Sequence, residues 1–218
     1  MFQNSLISCQ NLFFHGILKN WQEHAFDPLR GFSYESMRHN WERNKVGRVR
    51  LLTQCRQLYT LSHASLSYSD CVNNSLLTPL FDFILAHFKQ DQRWIFSLND
   101  DLEKLDTKTD AYALAFVLLS FSHYFKATGD ERALNEIQVT HDFLQDNMRS
   151  EFGGFEESYP IDRSLIRRQN PHMHLLEGYL AAYEVTQETA YKIQIGELLT
   201  LARSAFFDPI TNTLREFF

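Results

Sequence analysis

The chain has 218 residues, 44% of them hydrophobic and 22% charged, with a formal net charge of −6 at neutral pH. That length and composition support a single domain, 1–218, with a real core, and they exclude a disordered chain. The acidic balance excludes a nucleic-acid surface, which needs concentrated basic charge. Arg163, Arg167 and Arg168 do cluster, but acidic residues surround them, and the segment reads as a solvated loop.

Cys9, Cys55 and Cys71 form no paired spacing, which suits thiols used as small packing groups in a reducing compartment. The first ten residues lack the basic start and continuous apolar run of a signal peptide. The longest charge-free apolar stretch, 111–125, falls short of the roughly 20 residues that span a bilayer, and it contains Ser and His. A cytoplasmic protein without a membrane partner is expected.

In chain order, apolar residues at three- and four-residue spacing predict helices over 3–24, 46–65, 69–89, 110–127, 130–148, 171–186 and 188–206. Gly129 stops the fourth, Asp130 caps the fifth, and Pro171 opens the sixth, where a missing N–H costs nothing. FDPLRGF from Phe26, RWIFSLND around Trp94, EFGGFEES around Phe152 and FDPITNTLREFF from Phe207 each follow a helix and read as a turn with a short hairpin. They recur roughly every sixty residues with two helices between them, the mark of a helical-hairpin repeat.

Such hairpins stack into a solenoid or close into a ring, with one helix of each pair inside. The apolar helix 110–127 suits the inner row. Helix 130–148, with Glu131, Glu136, Asp142, Asp146 and Arg149, suits the outer one. Six hairpins would need roughly 350 residues. The chain is therefore expected to hold about half a ring, cut in mid-pattern after the uncovered Phe217 and Phe218.

Three segments carry chemistry. In RRQNPHMHLLEGY (167–179), helical spacing puts Asn170, His174 and Glu177 near one face, while His172 points away. Two histidines at i and i+2 cannot converge on one ion, so no metal is expected there. The face fits either a polyhydroxylated ligand or a core histidine bonded to Asn170. In KVGRVRLLTQCRQLYTLSHAS (45–65), Arg48, Leu52, Arg56, Tyr59 and His63 form one stripe. Arg56 offers a fixed fork of donors for a sugar oxygen or enediolate, unless its head simply reaches solvent. In TDAYALAF (109–116), Tyr112 is either a ligand contact or core. No Ser/His/Asp set, phosphate-cradling glycine loop or dinucleotide fingerprint is present, and Gly153-Gly154 reads as a turn. Glu156 and Glu157 are adjacent and do not suggest the two flanking acids of a glycoside hydrolase.

QNPHMHLLEGY, TQCRQLY, TDAYALAF and FDPITNTLREFF together resemble the N-acylglucosamine 2-epimerase family, which includes cellobiose 2-epimerases and mannose isomerases. The resemblance implies an all-α (α/α)6 barrel, of which this chain would be the N-terminal part. It also implies cofactor-independent epimerisation or isomerisation of an open-chain aldose, a monosaccharide or disaccharide, through a cis-enediolate. By motif, Arg56 would sit near the sugar carbonyl oxygens, Asn170 and Tyr112 would bind substrate, and His174 would open the ring or support catalysis. Ala113 stands where relatives often carry Asp. The family's proton-shuttling histidines lie in later hairpins, so the chain is expected to be inactive alone. It would act as a homodimer, with a separate C-terminal half, or as a non-catalytic half-barrel that binds a partner.

Overall fold

The computed structural model describes residues 2–217. The first helical stretch follows the expected 3–24 but in three pieces: α1 (Phe2–Asn11), a π-helical segment Leu12–Leu18, and α2 (Lys19–His24). A hairpin closed by Phe26 opposite Ser33 follows. The short strand β1 (Val49–Arg50) then leads into α3 (Leu51–Ser67), so helix begins five residues later than the periodicity suggests.

The expected helix 69–89 is broken. Asn73 turns its side chain back to accept from the Ser75 N–H at 3.2 Å, and the chain makes two single 3-10 turns before α4 (Leu77–Phe88). Here a local side-chain bond outcompetes the helical ladder. Strands β2 (Lys89–Gln90) and β3 (Arg93–Trp94) close the next hairpin, and β4 (Ser97–Leu98), β5 (Lys104–Asp106) and β6 (Thr109–Asp110) follow.

Helix α5 (Ala111–Thr128) is buried on nearly every side, as an inner helix should be. Gly129, in the left-handed region at φ 73°, ends it and returns its N–H to the Phe125 carbonyl at 2.7 Å. Helix α6 (Arg132–Asn147) lies outside it. Asp130 accepts from the Arg132 N–H at 3.1 Å, in keeping with a helix start there. Glu136 departs from the expected solvent face: it is 6% exposed and ion-paired with Lys89 of the preceding hairpin.

Strand β7 (Ser158–Tyr159) precedes α7 (Gln169–Thr186) and α8 (Thr189–Leu201), and a π-helical turn leads to the hairpin of β8 (Phe207–Asp208) and β9 (Thr213–Leu214). Pro171 is the third residue of α7, not the first, but still lies in the first turn, where backbone N–H groups lack intrahelical partners. Phe217 is half exposed and bridges Arg168; Phe218 lies outside the described residues.

Helices α3, α5 and α7 form an inner row with α5 in the middle, and α4, α6 and α8 back them as antiparallel partners. At Gly178 α7 lies close against α5. A Cβ there would stand 2.7 Å from the Ala115 carbonyl oxygen, so only glycine lets α7 approach α5 this closely. The small strands stitch the starts of the inner helices together. β4 pairs antiparallel with both β1 and β5, and β6 pairs with β7. All three inner helices therefore begin at the same end of the arc. No helix of the described residues is long and apolar enough to cross a membrane.

Candidate active site

Each inner helix is anchored at its start by a carboxylate. Glu35, almost fully buried, accepts from the Arg50 backbone N–H at 3.1 Å and from Thr53 Oγ1 at 2.9 Å, and it pairs with the Arg50 guanidinium. Arg50 is the residue just before α3. Glu157 does the same before α7, accepting from the Arg168 backbone N–H at 2.6 Å and its Nε at 2.8 Å. Asp110 caps α5 by accepting from the Ala113 N–H at 3.0 Å. Burial raises the Asp110 carboxyl above the usual carboxylate range, with the Ala113 N–H pulling the other way.

The arginine cluster is therefore not a solvated loop throughout. Arg168 is held by Glu157, and Arg167 donates to the Gly153 carbonyl at 2.5 Å; Arg163 is exposed, and no hydrogen bond or ion pair among the described residues engages it. Glu157, locked in this pair, is committed to structure.

With the starts aligned, Arg56, Phe116 and His174 are each the sixth residue of their helix and so stand at one level of the inner wall. Arg56 Nη2 donates to the Tyr112 hydroxyl at 3.0 Å, and its guanidinium lies 4.4 Å from the Phe116 ring centre. The His174 ring packs 5.1 Å from Tyr112, edge to face, and 4.9 Å from Phe116. His174 Nδ1 lies 2.7 Å from a Glu177 carboxylate oxygen. A carboxylate accepts, so Nδ1 carries the proton, and in the neutral ring Nε2 keeps its lone pair.

The structure thus brings Arg56, Tyr112 and His174 together. Asn170 sits half-buried one turn before His174, and no hydrogen bond among the described residues joins the two. The partner of His174 is Glu177, not Asn170. His172 points away as expected: it is 5% exposed, its Nε2 accepts from the Phe155 N–H at 3.1 Å, and burial lowers its pKa. Arg48 leaves the expected stripe, because it lies in the loop before β1.

Sequence reasoning did not single out Phe116, although helical spacing four residues from Tyr112 was there to be read. It missed Glu35 and weighed Glu157 only as one of two adjacent acids, because their partners lie 15 and 11 residues away with no periodic signal. A separate groove of about 640 Å3 between α2 and the α3–α4 connection, lined by His15, Lys19, Glu23 and Asp70, shares no residue with this wall.

The chain is 25% identical to the cellobiose 2-epimerase of Bacteroides fragilis over 93% of its own length and 56% of that protein's. It is 33% identical to the mannose-6-phosphate isomerase of Rhizobium meliloti over 55% of its length and 32% of that protein's. The solved structure of cellobiose 2-epimerase from Bacillus thermoamylovorans superposes with a TM-score of 0.88 at 20% identity, covering 99% of this chain and 60% of that one. The chain spans less than two thirds of these relatives. The superposition shows the fold, an all-α hairpin repeat of the (α/α)6-barrel type, of which these residues form about half the ring. The family model described as N-acylglucosamine 2-epimerase matches residues 31–218, and the chain belongs to that family.

Proposed function

We propose that the chain carries the sugar-binding wall of an aldose epimerase or aldose–ketose isomerase that works through a cis-enediolate. The observation behind this reading is the convergence of Arg56, Tyr112 and His174 from three helices, with Arg56 donating to the Tyr112 hydroxyl and the His174 ring packed against Tyr112. One Arg56 nitrogen holds Tyr112, leaving the rest of the fork for the carbonyl oxygen and the neighbouring hydroxyl of an open-chain aldose. Charge builds on these oxygens as the proton beside the carbonyl is removed, and fixed donors aimed there lower the barrier. His174, with Nδ1 engaged by Glu177, offers Nε2 to take the hydroxyl proton of the cyclic sugar and open its ring. Asn170, one turn nearer the helix start, supplies an amide for a further hydroxyl.

Returning the carbon proton to the opposite face gives the epimer; placing it on the next carbon gives the ketose. That shuttle needs bases beyond these residues. We therefore expect the 218-residue chain alone to bind a sugar without exchanging its C2 proton. Incubation with mannose, glucose or cellobiose in deuterated water, followed by proton NMR, tests this. Saturation transfer to sugar protons, lost in Arg56→Ala and His174→Ala, supports the reading. Absence of any sugar contact contradicts it, and C2 exchange contradicts the inactivity of the chain alone.

A second reading, association with a partner or a second copy, is favoured by apolar side chains exposed on the two edges of the arc. Leu12 and Ile17 flank one edge, and Met173 and Leu180 the other. Light scattering distinguishes a monomer from a dimer or a complex with a separate C-terminal polypeptide.

A further inference from the structure

Seven residues along from Arg56 and from Phe116, about two turns deeper on the inner wall, His63 of α3 faces His123 of α5. Their ring centres are 5.3 Å apart at an interplanar angle of 53°, and Tyr59 packs edge-on against His123 at 4.7 Å. This cluster takes no part in the sugar wall.

We propose that His63 and His123 form a binding site for a late first-row divalent cation of the Zn2+ type, clamped between α3 and α5. An imidazole nitrogen binds Zn2+ at about 2.0–2.1 Å, which puts each ring centre about 3.2 Å from the ion and two such centres about 4.5–5.5 Å apart for ordinary ligand angles. The observed separation falls inside that range.

The protonation state fits as well. His123 Nδ1 lies 3.0 Å from the Leu119 carbonyl oxygen, which only accepts, so Nδ1 holds the proton and Nε2 keeps a free lone pair. A ligand histidine whose other nitrogen donates to a backbone carbonyl is the usual second tier of a metal site. His63 is exposed, and no hydrogen bond among the described residues engages its ring.

Among the described residues no group of three or more His, Cys, Asp and Glu side chains is placed to hold one ion. Water therefore fills the remaining coordination positions. Glu184, near His123, is held by Lys126 at 2.8 Å and is not a ligand. An imidazole pair selects Zn2+, Cu2+ or Ni2+ over Mg2+ and Ca2+, which prefer oxygen.

Calorimetric titration of the metal-stripped chain with ZnCl2 alone, and separately with MgCl2, tests the site. The expected result is one Zn2+ per chain and no Mg2+ binding. His63→Ala and His123→Ala should each weaken Zn2+ at least tenfold, while His39→Ala, in an exposed loop, leaves it unchanged. His63 is exposed, so its variant keeps the fold, which circular dichroism verifies. Saturable Zn2+ binding of unchanged affinity in both variants, or no saturable binding by the unaltered chain, would overturn the proposal.

Discussion

The His174 Nδ1 proton is held by Glu177 at 2.7 Å, one turn along the same helix, and this bond fixes which ring nitrogen faces the inner wall. Replacing Glu177 by Gln keeps the shape but allows the amide to present either an acceptor or a donor to Nδ1. Sugar affinity should fall about tenfold through loss of a charge-assisted bond. Thermal stability should stay within about 0.5 kcal/mol, because Glu177 is half exposed. NMR titration and a melting curve on the same sample check both halves.

Gly178 and Gly196 make a matched pair. At Gly178 an added methyl meets the Ala115 carbonyl at 2.7 Å, so Gly178→Ala should destabilise by about 1–3 kcal/mol through overpacking. At Gly196, within α8, nothing lies within 4 Å, so Gly196→Ala should stabilise by about 0.5–1 kcal/mol through helix propensity. Urea denaturation of the two variants should give shifts of opposite sign.

Burial lowers the pKa of His172 and of His141 from the ordinary 6.5. A histidine of this kind takes a proton more readily when unfolded. Its contribution is complete above pH 6.5 and is lost as pH falls from there through the folded value. Stability should therefore drop between pH 7 and pH 5, before the depressed carboxylates Asp208 and Glu184 begin to titrate below their usual 3.8 and 4.5. His172→Asn should be less stable at pH 7 and show a shallower decline, read from melting temperatures across that window.

The hairpin repeat was legible because four turn segments recur at near-constant spacing, and the inner position of α5 was legible because its apolar residues leave no polar face. Arg56, Tyr112 and His174 were found from their motifs. That Arg56 and His174 share a level with Phe116 was not legible, because it depends on where each helix starts. Those starts are set by Glu35, Asp110 and Glu157, and by strands two or three residues long. Pairings across 11 or 15 residues leave no periodic trace. Asn73 broke an expected helix through local side-chain bonds from Ser75 that apolar spacing does not register.

If Glu157 sets the start of α7, then Glu157→Gln should weaken more than stability. The Arg168 guanidinium and backbone N–H lose a buried carboxylate, at a cost of about 2 kcal/mol once the partial exposure of Arg168 is allowed for. His174, six residues on, should also lose its position. The measurable signature is a His174 ring resonance that broadens in this variant while that of His63, on a different helix, stays sharp.

The claim that Arg56 and His174 serve one ligand is tested most directly by the His174 ring itself. In a carbon–proton NMR titration with mannose, its Cε1–H resonance should move saturably, and Arg56→Ala, on another helix, should abolish the movement at the same sugar concentrations. A His174 shift that persists unchanged in Arg56→Ala, or a resonance indifferent to sugar, would contradict a shared site.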